Sequence, residues 1–435
     1  MIANLIFSIL LIAAAWLFTR NVRRIAGNIR MGKKQQINDQ KGLRWKRMAR
    51  VAIGQSKMTS RPLSAIMHIF VYVGFIVINI EMLEILIDGL FGSHRILSFL
   101  GSAYPVLISA FEVLALLVII ACIIFLARRN LIRLWRFRTR EMTAWPRSDA
   151  NIILVTEILL MASILVMNAA DGLLQLRGDP HYAVVGSFLV SDFMQPWFAG
   201  MSSSALITLE RASWWFHIIG VLIFLNYIPY SKHFHIFLSF PNVFYSRLEP
   251  LGKMTNMPAI TNEVKMMLDP GAATEAAQAE GEEMDQFGAR DATDLTWKHL
   301  MDAYTCTECG RCTSSCPASI TGKKLSPRKV VMDVRDRIEE LGKHVRKHGE
   351  GSTDGHSLFD RISGEELWAC TTCNACVHEC PVDIDPLAVI LELRRYQVME
   401  KAAAPGELNA TFNNIENNGA PWQFSHEDRL MWTEK

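Results

Sequence analysis

Two stretches of the sequence, CTECGRCTSSCP at 306–317 and CTTCNACVHECP at 370–381, repeat one spacing of cysteine and proline. Both fit C-x2-C-x2-C-x3-C-P, in which three closely spaced thiolates bind three corners of one [4Fe–4S] cubane. The fourth cysteine, followed by proline, binds the other cluster in proteins that carry two such runs. We therefore predict ligands for two clusters. They are Cys306, Cys309, Cys312 and Cys380 for cluster 1, and Cys370, Cys373, Cys376 and Cys316 for cluster 2.

The distribution of the cysteines indicates a metal site. Of the nine cysteines, only Cys122 lies outside these two runs. This excludes a scattered disulfide framework and favours a reducing compartment. Zinc is the alternative metal, because four-cysteine zinc sites also use C-x2-C pairs. Two complete four-cysteine runs, each followed by proline, favour iron–sulfur clusters over zinc.

The first 240 residues hold nearly all the long apolar stretches of this 435-residue chain. Five of them approach or exceed the roughly 20 residues that cross a hydrocarbon core: 2–19, 62–86, 104–127, 151–170 and 212–237. The first is interpreted as a retained anchor, because its positive charges follow the apolar run, whereas those of a signal peptide precede it. We expect membrane lipid as a partner. The formal charge of only +2 indicates no nucleic-acid partner.

The Lys and Arg residues are concentrated in two connecting loops, which predicts the orientation in the membrane. By contrast, the loop 88–103 contains only Arg95 and the loop 171–209 only Arg177. The basic loops are expected in the cytoplasm, with the N-terminus outside and everything after the fifth span inside. This predicts a multi-pass protein of the cytoplasmic (inner) membrane of a bacterium. The basic residues are Arg20, Arg23, Arg24, Arg30, Lys33, Lys34, Lys41, Arg44, Lys46, Arg47 and Arg50, then Arg128, Arg129, Arg133, Arg136, Arg138 and Arg140.

Four histidines lie within the predicted spans: His68, His217, His233 and His235. On a continuous helix, His217 and His235 would share one face, because eighteen residues make five full turns. His68 and His235 both lie near the cytoplasmic ends of their spans, where two imidazoles can ligate one haem iron. We predict one haem b between His68 and His235, with His233 as the alternative to His235. Snorkelling of His233 and His235 at the interface is the other interpretation.

Five spans, an outside N-terminus and two histidines eighteen residues apart on the last span, His217 and His235, resemble the cytochrome b (gamma) subunit of respiratory nitrate reductase. That family holds two stacked haems, using two histidines ten residues apart on its second helix. Here Ile78 stands ten residues after His68. The resemblance therefore implies only the haem nearer the cytoplasm and leaves His217 without a partner. Four acidic residues also lie within the spans, where a proton path, a quinone contact and a structural role all stay open: Glu81, Glu84, Glu112 and Glu157.

Helical periodicity is present at 326–347, and a further helix is expected near 386–401. We predict an all-α chain, a five-helix transmembrane bundle followed by an α-helical dicluster ferredoxin domain. The predicted boundaries are 1–240 for the haem b anchor, 241–293 for a linker, and 294–435 for a cytoplasmic domain with two [4Fe–4S] clusters. The stretch 269–289, rich in Ala, Gly, Gln and Glu, is interpreted as a mobile linker or surface loop. The cluster domain resembles the iron–sulfur subunits of fumarate reductase and heterodisulfide reductase.

Three further stretches carry a more specific resemblance: DLTWKHLMDAYTC at 294–306, TGKKLSP at 321–327 and NIENNGAPW at 414–422. They are similar to membrane-bound heterodisulfide-reductase-like iron–sulfur oxidoreductases with a nitrate-reductase-gamma-like anchor. The resemblance implies electron transfer from a cytoplasmic flavoprotein, such as electron-transfer flavoprotein, through the two clusters and haem b to menaquinone. Longer members continue into domains with Cys-Cys-Gly motifs. A partner subunit with such a domain is therefore expected.

Two other functions stay open. One is that of a quinol-oxidising subunit that feeds a heterodisulfide-reductase-like cytoplasmic partner. The other, in a different class, is that of a membrane-tethered iron–sulfur redox sensor. A tether needs one span and no paired histidines, so the sequence favours an electron conduit. No Gly-rich dinucleotide fingerprint follows a strand, so a flavin or nicotinamide site in this chain is not expected. No residue identifies a catalytic group or the quinone site.

Overall fold

The computed structural model describes residues 1–268, 286–425 and 427–434, and in these residues it contains helices, turns and loops but no β-strand. The predicted all-α fold class is confirmed. The stretch 269–285, most of the predicted mobile linker, lies outside the described residues. The helices are α1 (Ile2–Arg30), α2 (Lys41–Met48), α3 (Pro62–Phe91), α4 (Ala103–Asn130), α5 (Trp145–Leu176), α6 (Gln195–Phe198), α7 (Ser203–Tyr227), α8 (His235–Phe244), α9 (Pro258–Leu268), α10 (Trp297–Thr305), α11 (Arg311–Ser314), α12 (Pro317–Ile320), α13 (Pro327–His348), α14 (Gly364–Trp368), α15 (Ala375–Glu379), α16 (Pro386–Arg395) and α17 (Gly406–Asn418).

Five of these helices, α1, α3, α4, α5 and α7, are long and apolar enough to cross a membrane, which confirms the predicted five-helix anchor. α5 packs along α4 and α7, α3 packs on α4, and α1 contacts α3 and α7. Glycines allow close approach between helices in such bundles. A Cβ atom on Gly74 would lie 2.6 Å from Val118 Cγ2, and one on Gly220 would lie 2.6 Å from Leu160 Cδ2.

The fifth span differs from its predicted range, 212–237. α7 ends at Tyr227, and two 3-10 turns follow it, Ile228–Tyr230 and Lys232–Phe234, before α8 begins. Pro229 has no N–H with which to continue the helical hydrogen bonding, and Ser231 has an extended backbone and caps the second turn. The expectation that His217 and His235 lie on one face of a continuous helix is therefore wrong. Pro229 was the signal in the sequence for this break.

The cluster domain, formed by the residues from 286 onward, is centred on α13, which packs against α10 and α16. Val330, Val334 and Ile338 of α13 belong to a buried apolar core that continues into the anchor, where Ile25 and Ile153 join it. Ala289 and Ala292, at the end of the predicted linker, are also buried in this core. The domain thus packs directly on one end of the helix bundle. We call this end the domain side and the opposite end the far side.

The basic segment between α1 and α3 also holds the domain against the anchor. Arg47 and Lys57 both pair with Asp383, at 2.7 and 2.6 Å. The main chain of Lys33 exchanges two hydrogen bonds with the start of the domain, from its N–H to the carbonyl oxygen of Leu295 and from the N–H of Trp297 to its own carbonyl oxygen. The basic loop that predicts the membrane orientation therefore lies on the same side of the bundle as the cluster domain.

Candidate metal centres

The two cysteine runs fold into loops with the same unusual backbone. In the first loop, Glu308 and Gly310 have φ values of 52° and 70° on either side of the second cysteine. In the second loop, Thr372 and Asn374 occupy the equivalent positions, with φ values of 56° and 60°. Residues other than glycine rarely adopt this left-handed region. Two left-handed residues so close together curl each run into a compact loop, which then enters a short helix, α11 or α15.

The fourth cysteine of each run lies with the other run. Cys380 is within electrostatic range of Cys309 and Cys312. Cys316 is within range of Cys370 and Cys376. The structure therefore places together the cysteines of each predicted set, across the two runs. Cys312 is also within range of Cys376, so the two sets are neighbours.

These cysteines fit iron–sulfur clusters in their chemistry as well as their grouping. All eight are free thiols. Burial and the charge of Glu308 raise the pKa of the Cys306 thiol to about 12, so a coordinating metal is needed to hold it as a thiolate at neutral pH. Ile384 donates its N–H to Cys380 Sγ at 3.3 Å, the kind of contact that tunes cluster potentials. Ligation of the two clusters by the two sets stays a prediction.

The two cysteine sets differ in their access to solvent. Cys373 of cluster 2 is exposed, whereas Cys306 and Cys380 of cluster 1 are buried. Cys373 lines an open surface cavity of about 530 Å³ together with residues that include His378 and Glu379. Of the eight cysteines, Cys373 is therefore the most accessible from solvent.

The cluster 1 loop, residues 306–312, rests on the domain side of the anchor through two charged residues. Glu308 pairs with Lys232, three residues before His235. Arg311 donates to the carbonyl oxygen of Lys57 at 2.9 Å, just before α3 begins. The same loop thus contacts the segment that leads to His235 and the segment that leads to His68.

Three of the four histidines meet on the domain side. Burial, together with the nearby imidazoles of His235 and His68, lowers the pKa of His233. The rings of His233 and His235 are 5.7 Å apart, centroid to centroid. His217 lies apart from them, inside α7, where its Nδ1 donates to the carbonyl oxygen of Leu160 at 3.0 Å. The structure therefore brings together His68, His233 and His235 but not His217.

Hydrogen bonding distinguishes His235 from His233 as a ligand. His235 donates its Nδ1–H to the carbonyl oxygen of Lys232 at 2.9 Å, which fixes the tautomer and leaves the Nε2 lone pair for a metal. His68 Nδ1 and His233 Nε2 are buried without a hydrogen-bond partner among the described residues. Buried imidazoles with open nitrogens fit a haem-iron site here. The ligand pair His68 and His235, with His233 as the alternative, stays a prediction.

Two of the acidic residues in the spans make structural contacts. Glu84 accepts a hydrogen bond from Tyr104 Oη at 2.9 Å, and Glu112 accepts one from Asn168 Nδ2 at 3.0 Å. Both pairs join neighbouring helices of the bundle. A structural role therefore accounts for these two glutamates.

Glu81 and Glu157 have different surroundings. Both carboxylate oxygens of Glu81 are buried, and neither has a hydrogen-bond partner in the described parts of the chain. Glu81 lines a cavity of about 160 Å³ on the far side, together with residues that include Trp214 and Trp215. Glu157 of α5 neighbours the buried Cys122 of α4. Neither position is adjacent to the histidine group.

Sequence reasoning missed a buried group of charges beneath the cluster 1 loop. Arg328, only 1% exposed, pairs with Glu141 of the loop between α4 and α5 at 2.8 Å. Arg335 pairs with Glu308 at 2.7 Å. Burial opposes ionisation of Glu308, but the charges of Lys232 and Arg335 outweigh it and hold the pKa of Glu308 below its usual value. The one signal for this group was an acidic residue inside a cysteine run.

Comparisons with known proteins agree with this description. Residues 305–384 match the family described as "4Fe-4S dicluster domain". The whole chain is 28% identical to "Probable iron-sulfur-binding oxidoreductase FadF" of Bacillus subtilis and covers 61% of that protein. It is 26% identical, over 88% of its length, to "EtfAB:quinone oxidoreductase" of Syntrophomonas wolfei and covers 53% of it. The chain thus spans less than two thirds of the length of both relatives.

Another relative matches about a quarter of the chain. It is one subunit of the ferredoxin/F(420)H(2)-dependent CoB-CoM heterodisulfide reductase of Methanosarcina acetivorans, 33% identical over 24% of this chain and 52% of that protein. No solved structure matches this chain. The relatives are iron–sulfur oxidoreductases, and the chain resembles them through a dicluster domain joined to five helices of membrane-spanning character.

Proposed function

We propose that this chain is the membrane-bound electron-transfer subunit of a quinone-linked oxidoreductase. It passes electrons from a cytoplasmic donor, a flavoprotein such as electron-transfer flavoprotein, through two [4Fe–4S] clusters and one haem b to menaquinone. The observation that carries this proposal is the place where the cluster 1 loop contacts the anchor. Through Glu308 and Arg311 it rests on the end of the bundle where His68, His233 and His235 meet.

In this proposal the two cysteine sets hold the clusters, and His68 and His235 hold the haem. Both kinds of group supply reversible one-electron transfer when bound. The exposed Cys373 gives a donor access to cluster 2. The carbonyl oxygen of Lys232 orients His235. Buried Arg328 offsets the negative charge of the cluster 1 ligands, because its guanidinium group donates to the carbonyl oxygen of Glu308 within that loop.

The position of the basic loops supports the entry of electrons from the cytoplasmic side. Arg47 and Lys57, which lie in a loop that the positive-inside rule assigns to the cytoplasm, contact the cluster domain directly. The domain would then face the cytoplasm, where soluble flavoproteins are available as donors. The name of the relative from Syntrophomonas wolfei, an EtfAB:quinone oxidoreductase, agrees with this donor and this acceptor class.

The quinone is proposed to bind near the haem, among α3, α7 and α8, because it receives its electrons there. A partner subunit with a Cys-Cys-Gly domain is proposed as part of the complete enzyme, since the names of the relatives describe a protein that acts with EtfAB and a subunit of a heterodisulfide reductase. The isolated chain is then expected to be inactive with some donors.

A second candidate runs in the opposite direction. The similarity to a heterodisulfide reductase subunit favours quinol oxidation with delivery of electrons to a heterodisulfide-reductase-like partner. A redox sensor is less well supported, because a sensor needs neither five spanning helices nor a group of buried histidines beside the cluster loop.

The test follows the haem absorbance in anaerobic membranes that contain the chain and its co-purifying partner. Reduced electron-transfer flavoprotein should produce the spectrum of ferrous haem, and a menaquinone analogue added next should abolish it. Haem that is never reduced by the flavoprotein would exclude this donor. Haem that is reduced but not reoxidised by any quinone would exclude the conduit. Reduction by a quinol alone would support the second candidate.

A further inference from the structure

Lys232 connects the segment that carries His235 to the cluster 1 loop. Its carbonyl oxygen accepts the Nδ1–H of His235 at 2.9 Å. Its ammonium group, on a side chain that is only 9% exposed, pairs with the carboxylate of Glu308. It also donates to the carbonyl oxygen of Pro146 at 2.6 Å. One residue therefore holds a predicted haem ligand with its main chain and the cluster loop with its side chain.

Glu308 is held equally closely from the cluster domain. It lies between Cys306 and Cys309, in the left-handed conformation with φ of 52°. Its second carboxylate oxygen pairs with Arg335 at 2.7 Å, and its carbonyl oxygen accepts from Arg328 at 3.3 Å. The position of Glu308, and with it the edge of the cluster 1 loop, is therefore defined by contacts on both sides.

The turn that carries Lys232 is fixed in the same way to the anchor. Asp149 of α5 accepts hydrogen bonds from the N–H of Lys232 at 3.1 Å and from Ser231 Oγ at 2.6 Å. Tyr227, the last residue of α7, also donates to Asp149, at 2.5 Å. The main chain of Lys232 is thus hydrogen-bonded to the anchor, and its side chain extends from there to the carboxylate of Glu308 in the cluster 1 loop.

Three cations face the two buried carboxylates of this group. Lys232 and Arg335 pair with Glu308. Lys232 also lies 3.8 Å from Asp149, and Arg129 is within electrostatic range of both carboxylates. A neutral residue in place of Lys232 would remove one of these positive charges, which is costly where charges are buried. Removing the charge of Glu308 at the same time offsets this loss without restoring the contact. The contact and the charge can therefore be tested separately.

We propose that Lys232 is a positioning residue that fixes the distance and orientation between cluster 1 and the haem, and so sets the rate of electron transfer between them. This inference rests on the proposed function. In the step concerned, one electron passes from reduced cluster 1 to ferric haem iron, which becomes ferrous. Lys232 itself gains and loses neither an electron nor a proton. Placement of this kind matters because the rate of electron tunnelling falls exponentially with the distance between the two centres.

The test compares Lys232→Met, Lys232→Arg, Glu308→Gln and the double variant Lys232→Met/Glu308→Gln in the full-length protein. The matched control is Lys329→Met. Lys329 also pairs with two carboxylates, those of Asp333 and Glu366, but both belong to the cluster domain. Iron, sulfide and haem contents are measured first. Stopped-flow absorbance then gives the rate of haem reduction after rapid reduction of the clusters.

A second readout does not depend on turnover. Radiolysis of frozen samples traps reduced cluster 1 beside ferric haem, and the electron paramagnetic resonance relaxation of the cluster then reports its distance from the haem iron. We expect Lys232→Met, with full metal content, to slow haem reduction several-fold and to weaken the relaxation enhancement. Glu308→Gln should act in the same direction. Lys232→Arg and Lys329→Met should stay close to the unmodified protein.

Unchanged rate and relaxation in Lys232→Met or in Glu308→Gln would overturn the inference. If Lys232→Met loses iron or haem, Glu308→Gln and Lys232→Arg decide the question. Full recovery of the rate in the double variant would also overturn it, because the lysine would then only balance charge. Failure of the proposed function gives a different result. In that case the flavoprotein and quinone do not act on the haem of the unmodified protein, while the relaxation still responds to Lys232→Met.

Discussion

Cys380 lies beside Cys309, although α13 and most of the second cysteine run separate them in the sequence. Cys316 lies in turn with Cys370 and Cys376 of the second run. Each predicted cluster would therefore take ligands from both runs, and we expect loss of the fourth cysteine of either run to affect the cluster that is centred on the other.

Cys316→Ala should disturb cluster 2, whose other predicted ligands begin at Cys370, because of this crossing. The unmodified protein should contain about eight iron and about eight sulfide per chain. In the variant, electron paramagnetic resonance should show that the signal of cluster 2 is lost or altered and that cluster 1 is retained. Cys122→Ala, which changes a buried cysteine of α4, is the control and should leave both signals intact. Loss of cluster 1 alone in the variant would contradict the ligand assignment. About four iron per chain in the unmodified protein, or zinc in place of iron, would contradict the prediction of two clusters.

Gly310 and Asn374 occupy equivalent left-handed positions. Replacing each residue by the other should nevertheless affect the iron content only at position 310. A Cβ atom on Gly310 would lie 2.4 Å from Arg328 Nη1 and 3.2 Å from the carbonyl oxygen of Arg136. Asparagine tolerates the left-handed region, so Gly310→Asn isolates this collision. We expect Gly310→Asn to lower the iron content by about half, through loss of cluster 1. The reciprocal change Asn374→Gly should keep it unchanged. Equal iron contents in the two variants would show that Arg328 of the cluster domain and Arg136 of the anchor leave room for a side chain at position 310.

The haem prediction assigns the haem to the site of His68, His233 and His235, and gives His217 no role in binding it. A pyridine haemochrome assay should find about one haem b per chain. His68→Ala and His235→Ala should abolish its spectrum, because each removes an axial ligand. His217→Ala should leave the spectrum largely intact, since His217 is bonded inside the bundle to Leu160. Two haems per chain, or loss of the signal on changing His217, would refute the single-haem prediction. Loss in His233→Ala but not in His235→Ala would assign the ligand to His233.

Asp383→Asn should loosen the cluster domain from the anchor. Asp383 is buried and pairs with both Arg47 and Lys57, and asparagine tolerates its left-handed backbone, with φ of 58°. Removing the charge should lower stability by about 2 kcal/mol, measured as the shift in thermal loss of cluster absorbance in detergent. The control is Glu340→Gln, which breaks an exposed pair with Arg361 and should cost less than about 0.5 kcal/mol. Equal shifts in the two variants would show that Asp383 does not stabilise the contact between the cluster domain and the anchor.

The parts of the fold that depend on local pattern could be predicted from the sequence. Apolar stretches of spanning length identify the five anchor helices, and the cysteine spacing identifies the dicluster domain that the family comparison supports. The break at Pro229 was not predicted, because apolar residues resume after the turn, at Phe234 and Ile236, and the predicted span was continued across the missing N–H. The pairing of Lys232 with Glu308 could not be predicted. It joins residues of separate domains. Such a contact depends on how the two domains pack against each other, which the local sequence pattern does not give.

The contacts that hold the cluster domain on the anchor come from the loop between α1 and α3, the loop between α4 and α5, and the turn at Lys232. Asn242, near the start of the predicted linker, adds hydrogen bonds to Asp302 at 2.9 Å and to the carbonyl oxygen of Val382 at 3.0 Å. Because the contacts come from several separate segments, no single one of them defines the docked arrangement alone. The same interface could be preserved if a gene of this kind were divided in two.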